Sequence, residues 1–146
     1  GADNDTPSLS DPNRVRPRLP AVASGMSVKI ETAVRLAATD GMWQTTVAIP
    51  AQGLARARSG LCRVPVLVRL RNPLASPSAP LRLSLRIGDS QPMVEVAPIA
   101  ANGTRELTLH IVVATGQRRL IATLSDANGK ELDSQTLSLR VDGSCG

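Results

Sequence analysis

Apolar residues recur at every second position through most of this chain. Val28, Ile30, Thr32, Val34 and Leu36 alternate with Lys29, Glu31, Ala33 and Arg35, the pattern of a strand with one buried face. Asp40-Gly41 then predicts a hairpin turn, and Trp43, Thr45, Val47 and Ile49 alternate again as the returning strand. Pro50 to Gly60 reads as a loop in which AQGLARARSG has room for one helical turn.

Six more segments follow the same period. Val64, Val66, Val68 and Leu70 form the first, ended by Asn72-Pro73 and the SPSAP run. Leu81, Leu83, Leu85 and Ile87 form the next, with Arg82, Ser84 and Arg86 pointing away. Met93, Val94 and Val96 make a short strand between Pro92 and Pro98, suited to a sheet edge. Asn102-Gly103 turns the chain into Leu107, Leu109, Ile111 and Val113. Leu120, Ala122 and Leu124 follow, and DANG at 126–129 closes a hairpin onto Leu132, Leu137, Leu139 and Val141. In-out parity slips between Leu132 and Leu137, which predicts a bulge near Ser134 to Thr136.

No stretch of ten or more residues has helical periodicity. Short strands with turns every few residues and no helices for parallel crossovers predict an all-β fold, an antiparallel immunoglobulin-like β-sandwich of about seven or eight strands over residues 26–146. Residues 1–25, GADNDTPSLSDPNRVRPRLPAVASG, hold too few large apolar side chains to offset the entropy of ordering, and are expected to be a disordered linker or tail. The stretch from Val15 to Leu19 suits an extended backbone.

From Val64 to Val141 the succession VLVRLRN, LRLSLRIGD, API followed by AANGTRELTLHI, GQRRLIATLSDANG and TLSLRV resembles bacterial immunoglobulin-like modules of the CARDB and fibronectin type III kind. The resemblance covers about half the chain and rests on spacing and turn chemistry. Leu120 stands where such modules often carry an aromatic residue, and the hairpin expected from Met26 to Ile49 exceeds their usual single first strand. The resemblance implies adhesion, spacing or protein-protein contact rather than catalysis.

Composition changes this picture in two ways. Phe and Tyr are absent and Trp43 is the one aromatic residue, so the core is aliphatic, with Trp43 expected beneath the loop from Pro50 to Gly60. This poverty disfavours single-stranded nucleic acid as a partner, since such binding adds aromatic stacking platforms, and disfavours a neutral carbohydrate module for the same reason. The net charge of +5 comes almost entirely from arginine, because Lys29 and Lys130 are the only lysines. Arginine suits bidentate contact with carboxylate or phosphate, although an arginine-rich surface also serves solubility alone. No apolar run approaches the roughly 18 residues needed to cross a bilayer.

Cys62 precedes the strand that begins at Val64, and Cys145 follows the last strand. If the six intervening strands each reverse direction, the two cysteines share one end of the sandwich, and a disulfide closing a loop of about 83 residues is feasible. Two unlinked thiols in a reducing compartment are the competing state; the even count and the polar leading segment favour the disulfide and a periplasmic or extracellular location. Two cysteines and a distant His110 do not make a metal site.

No nucleophile motif, metal set or phosphate loop is present, so catalysis and cofactors are not expected. His110 is expected on a solvent-facing sheet surface. Asp40, Asp89, Asp126 and Asp142 fall at turns or strand ends, where Asp bonds local amides. Asn102-Gly103-Thr104 matches a glycosylation sequon, but the Asn-Gly turn already accounts for it. Arg82, Arg86, Arg119 and Arg140 are predicted on the outer face of one sheet, a basic stripe able to meet an acidic protein, a lipid headgroup layer or an acidic glycan. The functional expectation is a non-catalytic structural or protein-interaction module of the cell envelope, contacting another envelope protein near the edge strand at Met93 to Val96. A binding domain for an anionic ligand is the alternative.

Overall fold

The computed structural model describes residues 27–35, 43–50, 55–58 and 60–143, and for 55–58 the backbone alone. Nine strands lie in the described residues: β1 (Ser27–Arg35), β2 (Gln44–Ala48), β3 (Ala55–Arg58), β4 (Leu61–Arg71), β5 (Leu81–Arg86), β6 (Met93–Val96), β7 (Thr104–Val113), β8 (Gly116–Asp126) and β9 (Glu131–Asp142). They form two antiparallel sheets. One runs in the order β1-β9-β8-β5-β6; in the other, β4 pairs with β7 on one side and with both β2 and β3 on the other.

The pairings β4 with β7, β5 with β8 and β8 with β9 make the Greek-key weave of an immunoglobulin-like sandwich. Inward positions of both sheets meet in one aliphatic core. Val64, Val66, Val68 and Leu70 face Leu83, Leu85, Leu120, Leu124, Leu137 and Leu139, all essentially without solvent contact. Burying each leucine contributes about 1.5–3 kcal/mol relative to leaving it exposed, and the period-two pattern places nearly all of them inward.

The N-terminal strands depart most from expectation. β1 and β2 do not form a hairpin: β1 pairs with β9 and β2 with β4, so the two strands belong to different sheets. Asp40-Gly41 and residues 1–25 lie outside the described residues. Nor does β1 bury one continuous face. Its pairing with β9 steps from Thr32 opposite Ser138 to Ile30 opposite Leu139, leaving Glu31 as the extra residue. A one-residue slip sends later side chains to the other face. Val28 and Ile30 are therefore half buried, while Val34 is 56% exposed.

The region expected as a loop with a helical turn contains instead the strand β3, whose Ala55 opposes Arg63. Pro65 explains why β2 and β3 divide one edge of β4. Ala48 opposes Leu67 and Ala55 opposes Arg63, so Pro65, which has no N–H to donate, falls at the break between the two partners. Trp43 is buried in the core, but beside Gln44, which opposes Arg71. It therefore sits at the end of β4 opposite the one where β3 pairs, and the rest of the loop expected over it, 51–54 and 59, lies outside the described residues.

The bulge in β9 falls at Leu132, between Glu131 opposite Ser125 and Asp133 opposite Leu124, a few residues before the expected place. It turns Asp133 inward. The two turns predicted on β7 and β9 hold. Asn102 takes a positive φ of 55° while Gly103 N–H donates to Ala100 O at 2.9 Å. In the other, Asp126 Oδ1 accepts from Asn128 N at 2.8 Å and Lys130 N at 2.9 Å.

Candidate functional site

The four arginines singled out from the sequence do share one sheet and one face. Arg82 and Arg86 alternate with the buried Leu81, Leu83 and Leu85 on β5, and Arg140 alternates with Leu139 and Val141 on β9. Arg119 precedes buried Leu120 on β8, and all four are exposed. The face is not a uniform basic stripe, however. Arg82 is bonded through Nε and Nη2 to Glu95 on the neighbouring strand at 3.2 and 3.1 Å. Arg140 lies 3.7 Å from Glu31 and 4.0 Å from Asp142.

Arg86 and Arg119 differ. Among the described residues neither has a carboxylate within 4.0 Å. Both border one shallow depression of about 300 Å³ together with Gly88 and Ile121. The ladder makes them neighbours, since Arg86 opposes Ile121, two positions along β8 from Arg119. The ion pairs thus leave two of the four arginines available.

This pair stands near the end of the sandwich where the 87–90 turn and the start of β8 lie. A pocket of about 450 Å³ there is lined from both sheets, by the buried Ile87 and Val113, by Leu61 and Val112 at outward strand positions, and by Gly88, Asp89 and Arg118. Arg118 has the same strand parity as Leu120, Ala122 and Leu124, so its position belongs to the inner face. It is the third residue of β8, opposite the buried Leu139, and is nonetheless exposed. Its Nε donates to Ala114 O at 3.1 Å and an Nη donates to Thr115 O, which holds the guanidinium at the end of the sandwich. A further depression of about 280 Å³ joins Arg118 and Arg119 with Gln117 and Ser138.

Arg118 and Gly88 were not singled out from the sequence, though a signal existed for the first. Extending the β8 alternation two residues upstream puts an arginine on the core side, which is tolerable only at a strand end. Gly88, with φ of 56°, occupies a tight turn closed by the mutual hydrogen bonds of Ile87 and Ser90. Nothing lies within 4 Å of where its Cβ would be.

Cys62 is not ahead of the strand but its second residue, 1% exposed and opposite Val113. Cys145 lies outside the described residues. Val141, the last buried residue of β9, opposes Gly116, three residues after Val113. The end of β9 and Cys62 therefore belong to the same end of the sandwich.

Other candidates are structural or unoccupied by chemistry. His110 is exposed on the outer face of β7, opposite Pro65, with no side-chain hydrogen bond among the described residues. Asp126 shapes its turn, Asp89 and Asp142 are exposed at a turn and a strand end, and Asp40 lies outside the described residues. Asp133, 2% exposed, accepts from Thr45 N at 2.9 Å and pairs with Arg35, and Gln135 donates to Thr45 O. These bonds tie β9 of one sheet to β2 of the other. Among the described residues no group of three or more His, Cys, Asp or Glu could hold a metal ion, and no helix is long and apolar enough to cross a membrane.

At the flank opposite β1 and β2, both sheets end in strands that have one partner among the described residues. There β6 pairs with β5 alone, as expected of an edge strand, and β7 with β4 alone. Val112 N–H points away from β4, donating to Ser90 Oγ at 3.4 Å. By antiparallel alternation the N–H groups of Thr108 and His110 point the same way.

No family model matches this chain, and no curated protein does. Among solved structures it is similar to chicken MD-1 complexed with lipid IVa, with 6% identity, coverage of 75% of this chain and 96% of that one, and a TM-score of 0.33. A likeness that weak carries no inference about a ligand.

Proposed function

We propose that this protein is a non-catalytic interaction module of the cell envelope, periplasmic or extracellular, that holds an extended segment of a partner protein along its unpaired strand edges. The observation that supports this reading is the flank formed by β6 and β7, each with one neighbour among the described residues. β7 is ten residues long, and its outer-edge amides at Thr108 and His110 line up to accept an added strand. Such edges are normally shortened, charged or covered in proteins that avoid pairing, and β7 is neither short nor interrupted by proline.

Membership among CARDB or fibronectin type III-like modules, and a Cys62–Cys145 disulfide suited to an oxidising compartment, belong to the same reading. The strand order from β4 to β9 is consistent with the first. The shared end of Cys62 and Val141 is consistent with the second.

The test is proline substitution at Thr108, where the lost N–H faces outward and the ladder to β4 is spared. Proteins captured from an envelope extract by the parent chain are compared with those captured by Thr108→Pro, after thermal melting has established that both are folded. Loss of a specific partner supports strand addition. Undiminished capture of the same partner by the proline variant rejects it.

A further inference from the structure

We infer that the end of the sandwich at the 87–90 turn is a binding site for an amphiphilic anion, with a phosphate or carboxylate head held by Arg86 and Arg119 and an apolar body in the adjoining pocket. Two independent features meet here. The first is electrostatic: of the four outer-face arginines, Arg86 and Arg119 have no carboxylate partner among the described residues, and both border one depression. Two guanidinium groups beside one depression offer the forked donors that bind an oxyanion bidentately. The second is apolar: the adjoining pocket of about 450 Å³ is walled by Leu61, Ile87, Val112 and Val113. That size lies within the usual range for small-molecule sites, roughly 300–1,000 Å³, and a mostly apolar lining with few polar groups is their usual character.

Gly88 connects the two. It borders both the arginine depression and the apolar pocket, and with no side chain it leaves the passage between them open. Arg118, anchored on two carbonyl groups, borders the same pocket and adds positive charge near the head group. Among the described residues that line the pocket, Arg118 stands against Asp89, and Arg86 and Arg119 border the adjoining depression, whose described lining holds no carboxylate. Neither half of the site accounts for the other. A solubilising basic surface needs no cavity beside it, and an apolar pocket needs no pair of unpartnered arginines adjoining it.

Isothermal titration calorimetry with dodecyl phosphate, inorganic phosphate and dodecyl maltoside, all below micelle-forming concentrations, tests the assignment. Expected is one dodecyl phosphate per chain, bound about tenfold or more tighter than either other probe, with affinity that falls as salt is added. Arg86→Gln with Arg119→Gln weakens dodecyl phosphate and inorganic phosphate alike. Gly88→Asn keeps the turn, because asparagine tolerates the positive φ, and obstructs the passage. It weakens dodecyl phosphate while leaving inorganic phosphate unchanged. Equal affinity for dodecyl phosphate and inorganic phosphate, several detergent molecules adsorbed without sensitivity to either variant, or no binding of dodecyl phosphate would each overturn the inference.

Discussion

The two ends of the sandwich are closed by different means. At one end Asn72, wholly buried, acts as a hub: its Nδ2 donates to Ser76 O and Ile99 O at 3.0 Å and to Ala100 O at 3.2 Å, and its Oδ1 accepts from Leu74 N at 2.9 Å. Backbone bonds from Asn72 N to Gly103 O, Asn102 N to Leu74 O and Ser78 N to Ile99 O complete the seal, and Ile99 plugs the core. At the other end, among the described residues, the turns at 87–90 and 114–115 are short, Arg118 donates to two carbonyl groups, and a pocket lies beside them. The contrast teaches that a short polar side chain can satisfy several loop carbonyls at once and pull them over the core. A long cation at an inward position instead turns to the nearest exposed carbonyl groups, because its charge must reach water.

Three substitutions break or sharpen this contrast. The largest effect belongs to the end that carries Cys62 and Arg118, if it is tied covalently. With the proposed disulfide, Cys62→Ser or reduction removes about 4 kcal/mol, the chain-entropy value for so long a loop. Denaturant unfolding with and without reductant measures it, and coincident curves would leave that end without a covalent tie. Next comes Asn72→Ala, which strands buried carbonyls and the Leu74 amide and costs about 3 kcal/mol. Urea midpoints read the loss, and a cost below about 1 kcal/mol would mean that the loops close without their hub. Smallest is Arg118→Ala, expected to change stability by about 0.5 kcal/mol or less, because its carbonyl partners remain in contact with solvent. A loss as great as that of Asn72→Ala would make the two ends equivalent and the comparison wrong.

The site was partly legible before the fold was known. Alternation along β5, β8 and β9 was enough to place Arg82, Arg86, Arg119 and Arg140 on one face, because each strand carries buried leucines at fixed parity. It did not reveal which of them are neutralised. Glu95 reaches Arg82 and Glu31 reaches Arg140 only through strand pairing. Asn72 was read as a strand terminator, since the Asn-Pro pair says nothing of carbonyl groups nearly thirty residues away.

Local pattern alone therefore determined that this chain is all-β, where its core strands run, which residues line its interior and where two of its tight turns fall. Those are period-two and turn-residue effects, set by neighbours in sequence. Tertiary structure decided the rest: that β1 and β2 part into different sheets, that bulges at Glu31 and Leu132 move Val34 outward and Asp133 inward, that β3 is a strand, and that two arginines have no ion-pair partner among the described residues. Each depends on which distant strand supplies the partner, and pairing between distant strands is a property of the assembled sheets that no stretch of neighbouring residues encodes.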